Sequence, residues 1–252
     1  MTERDENVVV LFRGGRLPEW YQLDEARRTD YERRHVDLML SVADRHGLIG
    51  IHGYRLLGPR VSWERFWTIE FPDLAGAEVW MSAEAEPPYG RYGYYNYTLA
   101  RRWQPECLNW LPRKAEPPVT PGTDPHIIPA LSADHSSIVL LAFGGRYRGA
   151  ESDEIGDQRV SDEHDEERWR RMRKVSRDHG LIHGEVFRLL GTSDHGDYAW
   201  ILEFPGLAGI EAWIDAETAP PLAAGQRHDF HVARRWAPEY FATWAAGRGG
   251  DG

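Results

Sequence analysis

His46-Gly-Leu-Ile-Gly-Ile-His-Gly-Tyr-Arg-Leu-Leu-Gly58 returns further along the chain as His179-Gly-Leu-Ile-His-Gly-Glu-Val-Phe-Arg-Leu-Leu-Gly191. At the same offset Trp67, Glu70-Phe71-Pro72, Leu74-Ala75-Gly76, Trp80, Pro87-Pro88 and Ala100-Arg101-Arg102-Trp103 recur. Their copies are Trp200, Glu203-Phe204-Pro205, Leu207-Ala208-Gly209, Trp213, Pro220-Pro221 and Ala233-Arg234-Arg235-Trp236. Two long copies, rather than many repeats of ~20–50 residues, mean a duplicated domain and not a solenoid.

Working outward from the repeat, each copy yields the same run of elements. Asn7–Phe12 and Ser137–Phe143 are short apolar runs that read as first strands, with Gly14-Gly15 and Gly144-Gly145 as strand-end turns. Thr29-Asp-Tyr-Glu32 has the form of a capping box, which predicts a helix over about residues 30–46, and its copy starts at Ser161. Second strands follow over 48–57 and 181–190, and third strands over 65–71 and 198–204, stopped by Pro72 and Pro205. A second helix carries Trp80 or Trp213 over 74–84 or 207–217, and a fourth strand closes each copy over 94–103 or 227–236. The order is β-α-β-β-α-β twice. The division is residues 1–111, a proline-rich linker at 112–135, and residues 136–252.

A chain of 252 residues with 41% hydrophobic residues and 11 Trp gives each copy a core of its own. The net charge of −10 speaks against nucleic acid or an anionic membrane as main partner, because both reward a basic face. No apolar run reaches the ~20 residues of a membrane span and the amino terminus lacks the pattern of a secretory signal, so a cytoplasmic protein with a small-molecule partner is expected. Homo-oligomerisation stays open. Cys107, the lone cysteine, is read as structural.

The duplicated β-α-β-β-α-β order, rich in Trp and Tyr, resembles the dimeric α+β barrel superfamily. That grouping takes in antibiotic-biosynthesis monooxygenases, EthD-like proteins, haem-degrading enzymes and chlorite dismutase-like haem proteins. The resemblance implies an α+β fold of two ferredoxin-like repeats whose sheets face each other as an intramolecular pseudo-dimer. It also implies a small-molecule enzyme of bacterial specialised metabolism, an oxygenase, cyclase or isomerase acting on a partly aromatic substrate without a nucleotide cofactor. No cofactor is the first expectation and haem the alternative, with His164, His183, His228 and His231 as candidate ligands. A non-catalytic ligand-binding or structural protein is the competing class.

Two sets of residues are candidates for chemistry. Arg55 with Glu70, and Arg188 with Glu203, recur in both copies on neighbouring strands and read as ion pairs, because a buried charge needs a partner. Positions that differ between the copies are free to specialise. Gly50 and His52 stand where the second copy has His183 and Glu185, and Tyr95, Asn96, Tyr97 and Thr98 where it has His228, Asp229, Phe230 and His231. Strand parity puts Asp229 with His231 and His183 with Glu185, and a histidine beside a carboxylate suits general acid–base work. Approach of strands two and four across the pseudo-dimer would bring His52 towards Asp229 and His231, and His183 with Glu185 towards Asn96 and Tyr97, so the catalytic candidates are His52, Asp229 and His231, with His183 and Glu185 as a second set. Tyr95, Asn96, Tyr97, Trp80, Trp213, Arg102 and Arg235 are the substrate-binding candidates. No metal is expected at 228, 229 and 231, since successive strand residues point to opposite faces.

Overall fold

The structure is a computed structural model that describes residues 7–58, 63–113, 134–146, 157–191, 196–220 and 226–238. The side chains of Asp134, Arg146, residues 157–165 and Gln226 are outside that description, as are most of the proline-rich stretch and both ends of the chain. The chain divides into two compact units. Unit 1 takes the residues up to Arg101 and those from Arg234 onward, and unit 2 takes Arg102 to Arg113 and His135–Ala233.

Unit 1 contains β1 (Val8–Arg16), a short α1 (Pro18–Tyr21), α2 (Glu25–His46), β2 (Gly50–Leu56), β3 (Arg65–Phe71), α3 (Leu74–Ala85) and β4 (Gly93–Arg102). Unit 2 contains β5 (Asp134–Arg146), α4 (Asp157–Asp178), β6 (His183–Leu189), β7 (Tyr198–Phe204), α5 (Leu207–Thr218) and β8 (Gln226–Arg235). In unit 1 the strand order is β4-β1-β3-β2 and in unit 2 it is β8-β5-β7-β6. The pairs β1–β3, β1–β4, β2–β3, β5–β7 and β6–β7 are antiparallel. This is a mixed α+β fold.

Local chemistry explains the boundaries that differ from the expected ones. Helix α2 starts at Glu25 because Asp24 caps it, accepting the Arg27 N–H at 2.8 Å, so Thr29 to Glu32 is helix interior and not a capping box. Gly14 and Gly15 do not turn. They continue β1, opposite Arg65 and Tyr94, because this stretch has no room for a side chain: a Cβ on Gly14 would lie 2.5 Å from the Tyr94 carbonyl oxygen. Helix α2 ends at Gly47 with φ 64, the left-handed conformation that glycine reaches most cheaply, and Gly180 repeats it with φ 64.

Each unit has an apolar core between its sheet and its helices. In unit 1, Val8, Val10, Phe12, Ile51, Trp67, Ile69 and Phe71 pack against Met39, Val42, Ala77 and Trp80. In unit 2, Ile138, Leu140, Trp200, Leu202 and Phe204 pack against Met172, Ile210 and Trp213. The segments after β4 and β8 complete these cores. Leu108 and Leu111 join the unit 2 core, where the Trp103 N–H donates to the Val186 carbonyl at 2.8 Å. Trp236 packs on Trp67 with ring centroids 5.5 Å apart in unit 1, and its N–H donates to the Gly53 carbonyl at 2.9 Å. Among the described residues no helix is long and apolar enough to cross a membrane.

Candidate functional site

Strand alternation gives each sheet a helix-facing side and an opposite side, and in both units the polar residues divide between them. On the helix side of unit 2 lies a cavity of about 240 Å³. Its aromatic walls are Trp103, Trp169, Tyr198, Trp200 and Phe230, and Arg168, Glu217, Asp197 and His228 contribute the polar groups. Arg168 reaches across from α4 to Glu217 at the end of α5 through two hydrogen bonds, Nε to Oε2 at 3.0 Å and Nη2 to Oε1 at 2.8 Å. The guanidinium stays over aromatic faces, 5.0 Å from the Trp169 centroid. His228 lies parallel to Phe230 at 5.4 Å, and its Nε2 is buried with no hydrogen-bond partner. Desolvation lowers the His228 pKa, the Glu217 charge opposing it and the Arg168 charge adding to it, and this favours the neutral imidazole.

The opposite side of the same sheet carries the polar pairs named from the sequence. His231 Nε2 is 3.1 Å from Asp229 Oδ2, with His231 buried and Asp229 more open, and the Phe143 ring packs edge-on against the imidazole. His183 Nε2 is 3.7 Å from Glu185 Oε1, and Arg102 Nη1 donates to the same oxygen. Burial alone would raise the Glu185 carboxyl, but the nearby His183 imidazole and the Arg102 charge outweigh it and hold the group well below the usual carboxylate range. Parity thus joins Asp229 to His231 and His183 to Glu185 within unit 2. His52 belongs to unit 1, half-buried on β2 opposite Thr68.

The expected pairs Arg55–Glu70 and Arg188–Glu203 do not form. The antiparallel register sets Glu70 opposite Gly50 and Arg55 opposite Arg65, at different ends of the β2–β3 ladder, and Arg55 and Arg188 are exposed. Buried Glu70 instead accepts from Asn7 Nδ2 at 3.2 Å and buried Glu203 from Ser137 Oγ at 2.6 Å. Of the substrate-binding candidates, Asn96 accepts from buried Arg13 at 3.0 Å. Arg235 lies over the Tyr54 ring, and Trp213 is fully buried in the unit 2 core. His164 sits on α4, but its side chain is outside the described residues.

Unit 1 has its own helix-side cavity, of about 50 Å³, among whose lining residues are Arg16, His35, Trp80, Glu84 and Tyr95. His35 and Glu84 are buried, with His35 Nε2 3.7 Å from Glu84 Oε1, and the Tyr97 hydroxyl donates to Glu84 Oε2 at 2.8 Å. Burial pushes the Glu84 carboxyl up to about 7 and, with Arg16 nearby, the His35 imidazole down to about 3.

Sequence reasoning passed over His35, Glu84, Arg168 and Glu217. They were legible through the repeat: at the offset of the copies, Glu84 falls on Glu217 and His35 on Arg168. His35 also follows Tyr31 and precedes Met39 at helical spacing, on the buried face of α2.

No family model matches the chain, and no curated protein matches it. Solved structures do. A mutant of chlorite dismutase from Candidatus Nitrospira defluvii is 12% identical, with a TM-score of 0.62, covering 96% of this chain and 97% of that one. The same enzyme in complex with imidazole is 11% identical with a TM-score of 0.61 over 96% and 97%. A novel haem-binding protein from Thermus thermophilus is 16% identical with a TM-score of 0.58 over 96% of each chain. The chain therefore has the α+β fold of chlorite dismutase-like structures.

Proposed function

We propose that unit 2 is the working half and that its helix-side cavity binds haem. The observation that carries this reading is His228 Nε2, a buried nitrogen without a hydrogen-bond partner, on an imidazole whose pKa burial lowers, at a cavity walled by tryptophans. A neutral imidazole is the donor that haem iron takes, and aromatic walls suit a planar macrocycle. Likeness in fold to a haem-binding protein supports the same ligand, and this reading replaces the expectation of a cofactor-free enzyme.

The donor set fits the group. His228 would hold the iron through its imidazole nitrogen, Trp169 and Trp200 would exclude water from the ring, and Arg168 would present a cation to an acidic substituent. Bound haem would supply redox or small-ligand chemistry. The 240 Å³ lies just under the ~300–1,000 Å³ of common ligand pockets, and it is bounded by described residues alone. The element and strand orders support reading each unit as a ferredoxin-like repeat.

The test is a hemin titration of the purified chain followed in the Soret region. Saturable binding near one equivalent is expected, with a shifted band and weakened binding in His228→Ala. A chain that takes up no hemin, or a variant with an unchanged spectrum and affinity, overturns the reading.

The opposite face of unit 2 supports a second reading, acid–base catalysis on a small, partly aromatic substrate as an oxygenase, cyclase or isomerase. Its support is the pairing of His231 with Asp229 and of His183 with Glu185. His231→Phe keeps the bulk and removes the proton carrier, so turnover should fall at least ~100-fold, the lower end for general acid–base catalysis. Full turnover in both His231→Phe and His52→Phe would end this reading.

A further inference from the structure

We propose that unit 1 carries a separate binding site for a small oxygen-bearing monoanion, held by Arg16, Trp80 and His35. Two nitrogens on residues lining its 50 Å³ cavity, Arg16 Nε and His35 Nε2, are buried without a hydrogen-bond partner, and the buried Trp80 Nε1 has only the Glu84 carboxyl to face. Arginine and tryptophan N–H groups only donate, so the missing complement is an acceptor. Imidazole can donate from Nε2 as well. A cavity of that size holds a few water-sized atoms, at roughly 10–15 Å³ for each, which admits formate, nitrite or nitrate and excludes an aromatic acid. The guanidinium of Arg16 is fixed 4.0 Å over the Trp20 ring, Arg65 also lines the cavity but is engaged by Glu64 at 3.3 Å, and Phe12, Met39, Ile51 and Ile69 supply apolar wall. A largely apolar wall, with Arg65 already paired and Arg16 held over an aromatic ring, suits a monoanion better than a divalent one.

Glu84 sets the conditions for binding. It faces Arg16 from β1, His35 from α2, Tyr97 from β4 and Trp80 on its own helix. As a carboxylate it would repel an anion, but burial lifts it to about 7, so near neutrality it takes up a proton readily. Anion binding should therefore be linked to protonation of Glu84 and weaken as pH rises above neutrality. The copy in unit 2 has resolved the same position differently: Arg168 stands for His35 and closes directly on Glu217, leaving that carboxylate paired. This inference does not depend on haem in unit 2.

The experiment is calorimetric titration of the full chain with sodium formate and sodium nitrate on both sides of neutral pH, with chloride as the background salt. Saturable binding is expected, weakening by up to about tenfold per pH unit above 7 as the linked proton is lost. Arg16→Gln and Trp80→Phe should each weaken it about tenfold or more, the loss of one charged or buried donor, and Glu84→Gln should bind with the pH dependence removed. Near-ultraviolet circular dichroism checks that the variants fold; should Arg16→Gln or Trp80→Phe unfold, the pH dependence in Glu84→Gln decides. No binding of either anion at tens of millimolar, undiminished binding in both folded donor variants, or an unchanged pH dependence in Glu84→Gln overturns the proposal.

Discussion

Tyr97 donates its hydroxyl to Glu84 at 2.8 Å in unit 1, whereas in unit 2 the same two positions are Phe230 and Glu217, and Glu217 takes two hydrogen bonds from Arg168. Two substitutions between the copies, Tyr97 against Phe230 and His35 against Arg168, thus answer one problem in two ways. The problem is a carboxyl buried at the end of the second helix. Unit 1 shares it with a phenol and a neutral imidazole, and unit 2 with a guanidinium.

The first prediction concerns pH. Glu84 has its folded pKa raised to about 7 from 4.5, so its contribution favours the folded state below 4.5 and is lost as pH rises through 7. His35 has its folded pKa lowered to about 3 from 6.5, so its contribution is present above 6.5 and is lost as pH falls towards 3. Between 4.5 and 6.5 the two slopes oppose each other. Denaturant melts of Glu84→Gln should show stability rising with pH up to 6.5, and those of His35→Gln should show it falling from 4.5 to 7. The Glu84 effect should reach about 3 kcal/mol at ~1.4 kcal/mol for each tenfold change in proton affinity.

Arg168→Ala should destabilise unit 2 by roughly 3 kcal/mol, because it leaves the Glu217 carboxylate buried and uncompensated. The double variant Arg168→Met with Glu217→Leu removes both charges and should recover most of the loss. Thermal melts of the single and double variants check this, and equal losses in both would show that the charge pair is not the cause.

Removing Arg102 should act on the acid side of the stability curve. Glu185 is held below the usual carboxylate range, so its contribution is present above 4.5 and is lost as pH falls through its folded value. Without the guanidinium the carboxyl rises towards the value that burial favours, and Arg102→Ala should lose on the order of 2 kcal/mol at neutral pH. Measured against wild type down the acid limb, that difference should shrink.

Gly53→Ala tests how Trp236 docks in unit 1. A Cβ there would lie 2.4 Å from the Trp236 carbonyl oxygen and 2.8 Å from the Trp67 ring. Neither can retreat without breaking the Trp236 N–H bond to Gly53, so a loss of roughly 1–3 kcal/mol is expected. Proteolysis should then cut near Trp236 before it cuts elsewhere, and a cleavage pattern identical to wild type would count against this docking.

The sequence by itself determined the duplication, the order of elements and the parity of the strand residues. Those properties are local, since a hydrophobic period, a glycine stop at Gly47 or Gly180 and a proline break at Pro72 or Pro205 act within a few residues. Parity was enough to join His231 to Asp229 and His183 to Glu185. Register was beyond its reach. The ladder between β2 and β3 parts Arg55 from Glu70, and only the pairing of whole strands decides that. Burial of charge was only partly within it: helical spacing sets His35 with Tyr31 and Met39 on one face of α2, but its meeting with Glu84 depends on what α3 places against that face. The meeting of Arg168 with Glu217, and of His35 with Glu84, joins residues on separate helices, and packing on the sheet brings those helices together.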